Sequence, residues 1–223
     1  MTLPRLLRNR LAELILDGFH DAEARKGLAA VAAACGKGGG PGAAFPARFS
    51  PDCSSDVLER RDETLRLKRG WKQHVGELGE RSERALRVVE ARPLDPREAP
   101  LAVALAQAAL LFDARLFFEV HELLEPYWMR SVGDEREALQ GLIQVAVGFH
   151  HLGNGNVPGA GSLLHDGIAK LLGREIEGLS LGPFAHALVG CLDEVTRRGG
   201  DAPTPFDWTA VPRLPARPPA AGR

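Results

Sequence analysis

The chain reads as all-α, a compact helical bundle with an additional N-terminal helical region and a Pro-rich C-terminal tail. Three observations predict this. Apolar residues recur at intervals of three and four, no alternation of period two bounded by hairpin turns is visible, and Gly and Pro collect between the periodic stretches. A low aromatic share of 6% beside 44% hydrophobic residues fits an Ala- and Leu-rich helical protein. At 223 residues the chain can bury one good-sized core and carry an appendage.

Residues 1–35 read as one or two helices: Leu7, Leu11, Leu14, Ile15 and Phe19 keep helical spacing, and an Ala-rich run follows. Residues 36–53 are a Gly/Pro-rich linker; its GKGGG run lacks the spacing of a phosphate loop, and no strand precedes it. Residues 54–92 are expected to form a long charged helical segment. Ser55 or Asp56 would cap it, and Val57, Leu58, Leu65, Trp71, Val75, Leu78, Leu86 and Val89 would form a broken apolar stripe weakened by Gly70, Gly76 and Gly79. No heptad register persists, so a coiled coil is not expected.

Residues 93–200 are the bundle itself. Asp95 is expected to cap a helix with Pro at its first position, and Leu101–Phe112, apolar nearly all round, should be a central buried helix. Further helices are expected over about 113–129, 134–152, 156–173 and 183–198, with Asn156 as a cap and Pro158 in the turn it starts. In the tail, residues 201–223, Phe206, Trp208, Val211 and Leu214 suggest a segment that partly docks before a disordered end.

Charge narrows the function classes. Lys plus Arg (28) balances Asp plus Glu (29), so nothing global favours nucleic acid, and the alternating signs in 58–92 suit a solvated helix face. A protein partner through 54–92 or the tail stays open. The three cysteines, Cys35, Cys53 and Cys191, form no CxxC pair, which speaks against a disulfide framework or a thiolate zinc site. No apolar run approaches the roughly 18–20 residues of a membrane span, and no signal-peptide core develops, so a cytoplasmic location is expected.

The chemistry concentrates in Phe112–Ala160. There Glu119, His121, Glu122, Glu125, Gln140, Gln144, His150, His151 and Asn156 stand among core-type residues. At about 100° per residue, His121, Glu125 and Trp128 share one helix face, and Gln140, Gln144, Val147 and His151 share a stripe on the following helix. His150 falls off that stripe, so His151 is the expected partner of the glutamines. Facing one another, these stripes allow His121, Glu122, Glu125 and His151 to act as acid/base groups. Gln140, Gln144, Trp128 and Asn156 would then contact a substrate. A divalent metal on His121, Glu125 and His151 is a second possibility, since imidazole and carboxylate suit zinc, manganese or iron. A non-catalytic interaction module, with the cluster as a buried hydrogen-bond network, is the third. HELLE has Glu125 where a zincin has its second His, and Phe118 stands three before His121, so protease and ferritin patterns are both absent. His20, His74 and His186 read as surface or cap histidines, and His165, beside Asp166 on the fourth helix, would reach the pocket if that helix packs over it.

Taken together, Phe112, Phe117, Phe118, Glu119, His121, Glu122, Glu125 and Trp128, followed by Gln140, Gly141, Ile143, Gln144, Ala146, His151, Gly155, Asn156, Gly159 and Ala160, resemble the paired signature of the domain of unknown function 309 family. Asp113 stands where that signature has Asn, and Arg115 where it has Gly. The resemblance covers about residues 100–172 and implies a compact bundle with the two motif helices packed together. It implies no activity.

Overall fold

The structure is a computed structural model that describes residues 2–36, 54–61, 64–96, 99–198 and 206–216. Among them are eight α-helices, two short antiparallel hairpins and two 3-10 helices, divided into units of residues 1–98 and 99–223. The all-α reading holds, and no helix of the described residues is long and apolar enough to cross a membrane.

In the first unit, α1 (Arg5–Asp17) and α2 (Ala22–Cys35) bury Leu7, Leu11, Leu14, Ile15 and Phe19 together with the Ala-rich face of α2. Asp21 separates the two helices because its carboxylate accepts the Glu23 N–H at 2.8 Å, capping α2. The expected linker, from residue 37 through Cys53, lies outside the described residues.

The long charged helix over 54–92 is not what forms. Strands β1 (Leu58–Arg61) and β2 (Thr64–Leu67) pair with Leu58 opposite Leu67 and Glu59 opposite Arg66. A 3-10 helix over Arg69–His74 follows, and only α3 (Val75–Glu90) is an α-helix. The reason is a period-two alternation too short to stand out: Leu65 and Leu67 are buried on either side of exposed Arg66. Neither Ser55 nor Asp56 caps a helix. Asp56 pairs instead with Arg10 at 3.0 Å, and its carbonyl accepts the Trp71 indole N–H.

Gly79, expected to weaken a helix, permits a close crossing, since a Cβ there would stand 3.0 Å from that of Cys35. His74 precedes α3 with its side chain buried rather than on the surface. Asp95 is not the cap of α4, which starts at Leu101 after Pro100; its carboxylate lies 3.4 Å from Arg92, and its N–H donates to the Phe19 carbonyl.

In the second unit, α4 (Leu101–Asp113) starts after Pro100 and is buried on most of its surface, including Gln107. It ends in a tight reversal in which Arg115 N–H donates to Phe112 O and Leu116 N–H to Leu111 O, both at 2.8 Å. This pair of bonds is the glycine-type helix stop, and Arg115 adopts its left-handed backbone, φ 57°. The missing glycine therefore does not prevent the turn.

Helices α5 (Phe117–Arg130) and α6 (Gly133–Gly153) then run antiparallel, with Phe117 stacked on Phe149 at one end and Arg136 over Trp128 at the other. Helix α7 (Val157–Leu171) packs on α6 through glycines: Cβ atoms at Gly141 and Gly148 would meet Leu171 and Leu164 at 2.8 and 3.0 Å. A second unexpected hairpin, β3 (Glu175–Ile176) and β4 (Leu179–Ser180), turns on Glu177 and Gly178, both at positive φ. Helix α8 (Gly182–Arg198) completes the bundle.

Residues 206–216 lie along this unit as a strap. Trp208 stacks on Phe117 at 6.0 Å, Phe206 and Leu214 are buried, and the Leu214 N–H donates to Asp113. Burial raises the Asp113 carboxyl above its usual range, while that N–H and Arg213 pull the other way. Arg115 extends over Trp208 at 5.7 Å, so both residues that depart from the family signature contact the strap.

Two outcomes follow. Gly167→Ala would place a Cβ 2.8 Å from Val145 Cγ2 and 2.9 Å from the Gly141 carbonyl. Because backbone cannot step aside, it should cost about 1–3 kcal/mol, read as a lower urea midpoint at unchanged slope. Burial pushes the Cys35 and Cys191 thiols up to about 11, with Glu194 adding to the effect at Cys191. Both should resist an aromatic disulfide reagent at pH 8 until denaturant is added.

Candidate functional site

Helix α5 carries the candidate site. It starts directly after the α4 stop, and Phe117, Phe118, Val120 and Leu124 bury its inner face. His121, Glu122 and Glu125 follow on a half-exposed flank, with side chains 26%, 34% and 40% exposed. His121 Nδ1 lies 3.1 Å from a Glu122 oxygen, and Nε2 lies 3.8 Å from a Glu125 oxygen. The separation of one and four residues creates this arrangement, because one helical turn returns Glu125 beneath His121. Pro126 sits inside the helix and offers no N–H to the Glu122 carbonyl four residues back.

Each of the three side chains can offer one ligand atom such that all three atoms lie within 4.8 Å of one another. Among the described residues this is the grouping of His, Cys, Asp and Glu that can share an ion. His151 is not in it, and Glu122 takes the place that spacing on paired helices suggested for His151.

The two histidines of α6 divide differently from the helical-wheel expectation. His150 lies across from α5, its ring 5.6 Å from Phe118, which also lies 6.1 Å from the His121 ring. His151 instead turns toward the start of α7, where its Nδ1 lies 2.8 Å from the Asn156 amide nitrogen. Asn156 is fully engaged as a cap: Oδ1 accepts the Gly159 N–H at 3.1 Å, so Nδ2 is the atom left to donate to His151. Gly159 is required by this closure, since a Cβ there would stand 2.6 Å from His151 Nδ1. The separation of His151 from His121 follows from where α5 crosses α6, which the Phe117–Phe149 stack sets and a single-helix projection does not contain.

The remaining candidates lie along the same helix pair. Trp128 Nε1 and Gln144 Oε1 are both buried and have no hydrogen-bond partner among the described residues, one a donor and the other an acceptor. Arg136 covers the Trp128 ring at 4.2 Å and donates to the Trp128 carbonyl at 2.8 Å. Gln140 is half-buried. Two further polar residues were not among the predicted site groups: Glu119 on α5 and Gln107 on α4 are wholly buried. Gln107, a lone amide in an otherwise apolar helix, was the available signal for this second polar position.

Fold and site together define an all-α bundle protein with a three-residue His/Glu cluster on the first helix of an antiparallel pair. Residues 105–163, from within α4 to within α7, match the model of a family described as Domain of unknown function (DUF309). The resemblance read from the paired motifs is thereby supported, and the cluster falls inside the matched segment. No curated protein and no solved structure matches the chain.

Asn156→Ala removes the α7 cap and the contact to His151. It should lower stability by about 1 kcal/mol while leaving helix content unchanged, as measured by chemical denaturation and circular dichroism.

Proposed function

We propose that His121, Glu122 and Glu125 form a binding site for a divalent transition-metal ion, open on its solvent side to a small ligand. The observation that carries this reading is the convergence of three ligand atoms within 4.8 Å on a half-exposed helix flank. Ligands at roughly 2.0–2.2 Å from one ion stand about 3–3.5 Å apart, so modest side-chain rotation closes the set. One imidazole and two carboxylates suit zinc, manganese or iron better than calcium, which takes an all-oxygen shell.

Three protein ligands leave coordination positions for water or substrate, the pattern of a reactive rather than a structural metal. Such an ion, when bound, polarises a carbonyl or phosphoryl oxygen or makes a nearby water acidic. Trp128 and Gln144 are the residues this reading offers for orienting a ligand, since Nε1 and Oε1 have no hydrogen-bond partner among the described residues. His151 and Asn156 serve the α7 cap in this reading.

A second reading has one observation in its favour. His121 already contacts both glutamates, so the cluster can be a set of ion pairs in a non-catalytic helical interaction module. Half-exposed pairs of this kind contribute at most about 1 kcal/mol.

Calorimetric titration of the dialysed protein with zinc and with manganese separates the two. The metal site requires one ion per chain, a rise in thermal stability of about 2.7 kcal/mol at 100 times Kd, and at least tenfold weaker binding in His121→Ala and Glu125→Gln. Absence of heat and of any thermal shift in the wild-type protein, with only a small stability loss in His121→Ala, would establish the second reading instead.

A further inference from the structure

The sequence suggested that acids interleaved along 54–92 neutralise its cations, and the structure shows where that fails. Residues 64–76 contain Arg66, Lys68, Arg69 and Lys72 and no carboxylate. Arg66, Arg69 and Lys72 are exposed and Lys68 half-exposed. None of the four side chains has an ion pair or hydrogen bond among the described residues, and none is among those with other interactions. Of the acids on the N-terminal side within the described residues, Asp56 pairs with Arg10, and Glu59, opposite Arg66 in the strand register, has its own contact; Asp62 and Glu63 lie outside the described residues.

Local structure keeps these charges close together. On a 3-10 helix residues i and i+3 eclipse, so Arg69 and Lys72 project from one face about 6 Å apart along the axis. The Lys68 N–H donates to Val57 O, which folds this helix back against the start of the hairpin. Gly70 lies between the cations with nothing within 4 Å of where its Cβ would be, leaving the backbone open to close approach. Four like charges in seven residues repel one another, and a partner carrying closely spaced negative charge relieves that repulsion.

We propose that Arg66, Lys68, Arg69 and Lys72 form a nucleic-acid backbone-binding face, contacting three or four phosphates without reading sequence. An anionic membrane fits less well, because Leu65 and Leu67 are buried, half-exposed Trp71 is tied by its indole N–H to the Asp56 carbonyl, and exposed Val75 lies beyond the last cation, which leaves little apolar surface to insert. This inference is independent of the metal site on α5.

The test is fluorescence anisotropy of the full-length protein with a labelled 20-base-pair duplex from 50 to 200 mM salt. Three or four phosphates give a log–log slope of roughly −3 to −4, or on the order of a hundredfold loss of affinity over that range. The quadruple variant R66Q/K68Q/R69Q/K72Q, with circular dichroism confirming its helix content, should bind at least tenfold more weakly at 50 mM salt and lose most of the slope. A control, R5Q/R87Q/R130Q/R197Q, removes the same charge from exposed positions elsewhere and should retain wild-type binding. The proposal is overturned if the wild-type protein does not bind the duplex, or if the control weakens binding as much as the quadruple variant. Binding to phosphatidylserine vesicles without binding to duplex would overturn it as well, assigning the face to a membrane.

Discussion

The second unit depends on the aromatic cluster around Phe112. Its ring meets Phe117, Phe149 and Phe184 edge-on at 5.1, 5.8 and 5.7 Å, joining α4, α5, α6 and α8 at one point. Pairs of this geometry contribute about 0.5–1.5 kcal/mol each beyond the area they bury, so the junction is both strong and directional. It fixes the start of α5 and the C-terminal half of α6, and hence which residues of the two helices can meet. Trp208 extends the cluster by stacking on Phe117, so the strap adds to the same junction.

A second constraint acts at the opposite side of α6. Gly141, Gly148 and Gly167 let α6 and α7 approach until Leu164, Leu171 and Val145 fill the space that side chains would otherwise need. Helix α6 is therefore held between an aromatic contact with α5 and a glycine contact with α7, and it has little freedom to rotate. That explains the different environments of two adjacent histidines. His150 is committed to the α5 side and His151 to the α7 cap, about 100° away around the same axis.

The placement of the His/Glu cluster on the flank of α5 has an electrostatic logic. A carboxylate pair in a dry core would need full compensation for lost hydration, whereas at 34% and 40% exposure solvent supplies most of it. The site can therefore hold two carboxylates beside an imidazole and still keep an open side. Buried Glu119, one turn before Glu122 and Leu123, shows the other regime, with its partners inside the protein.

Much was legible in the chain itself. Helical periodicity placed α4 to α8 within a few residues, Asn156 and Pro158 marked the start of α7, and the spacing of His121, Glu122 and Glu125 put one imidazole and two carboxylates within about one turn. These are local properties, set by backbone geometry and capping chemistry over three to seven residues. The β1–β2 hairpin escaped because its alternation spans too few residues to compete with a charged helical reading, and the start of α4 because Pro100, not Asp95, precedes its first turn. The choice of His150 over His151 toward α5, the use of Asn156 and His151 as one cap, the left-handed Arg115 beneath Trp208, and the lack of an ion pair among the described residues for Arg66, Lys68, Arg69 and Lys72 were decided only by the tertiary structure. Each depends on the distance between residues far apart in the chain or on where a neighbouring acid actually points, and no periodicity within one segment carries that information.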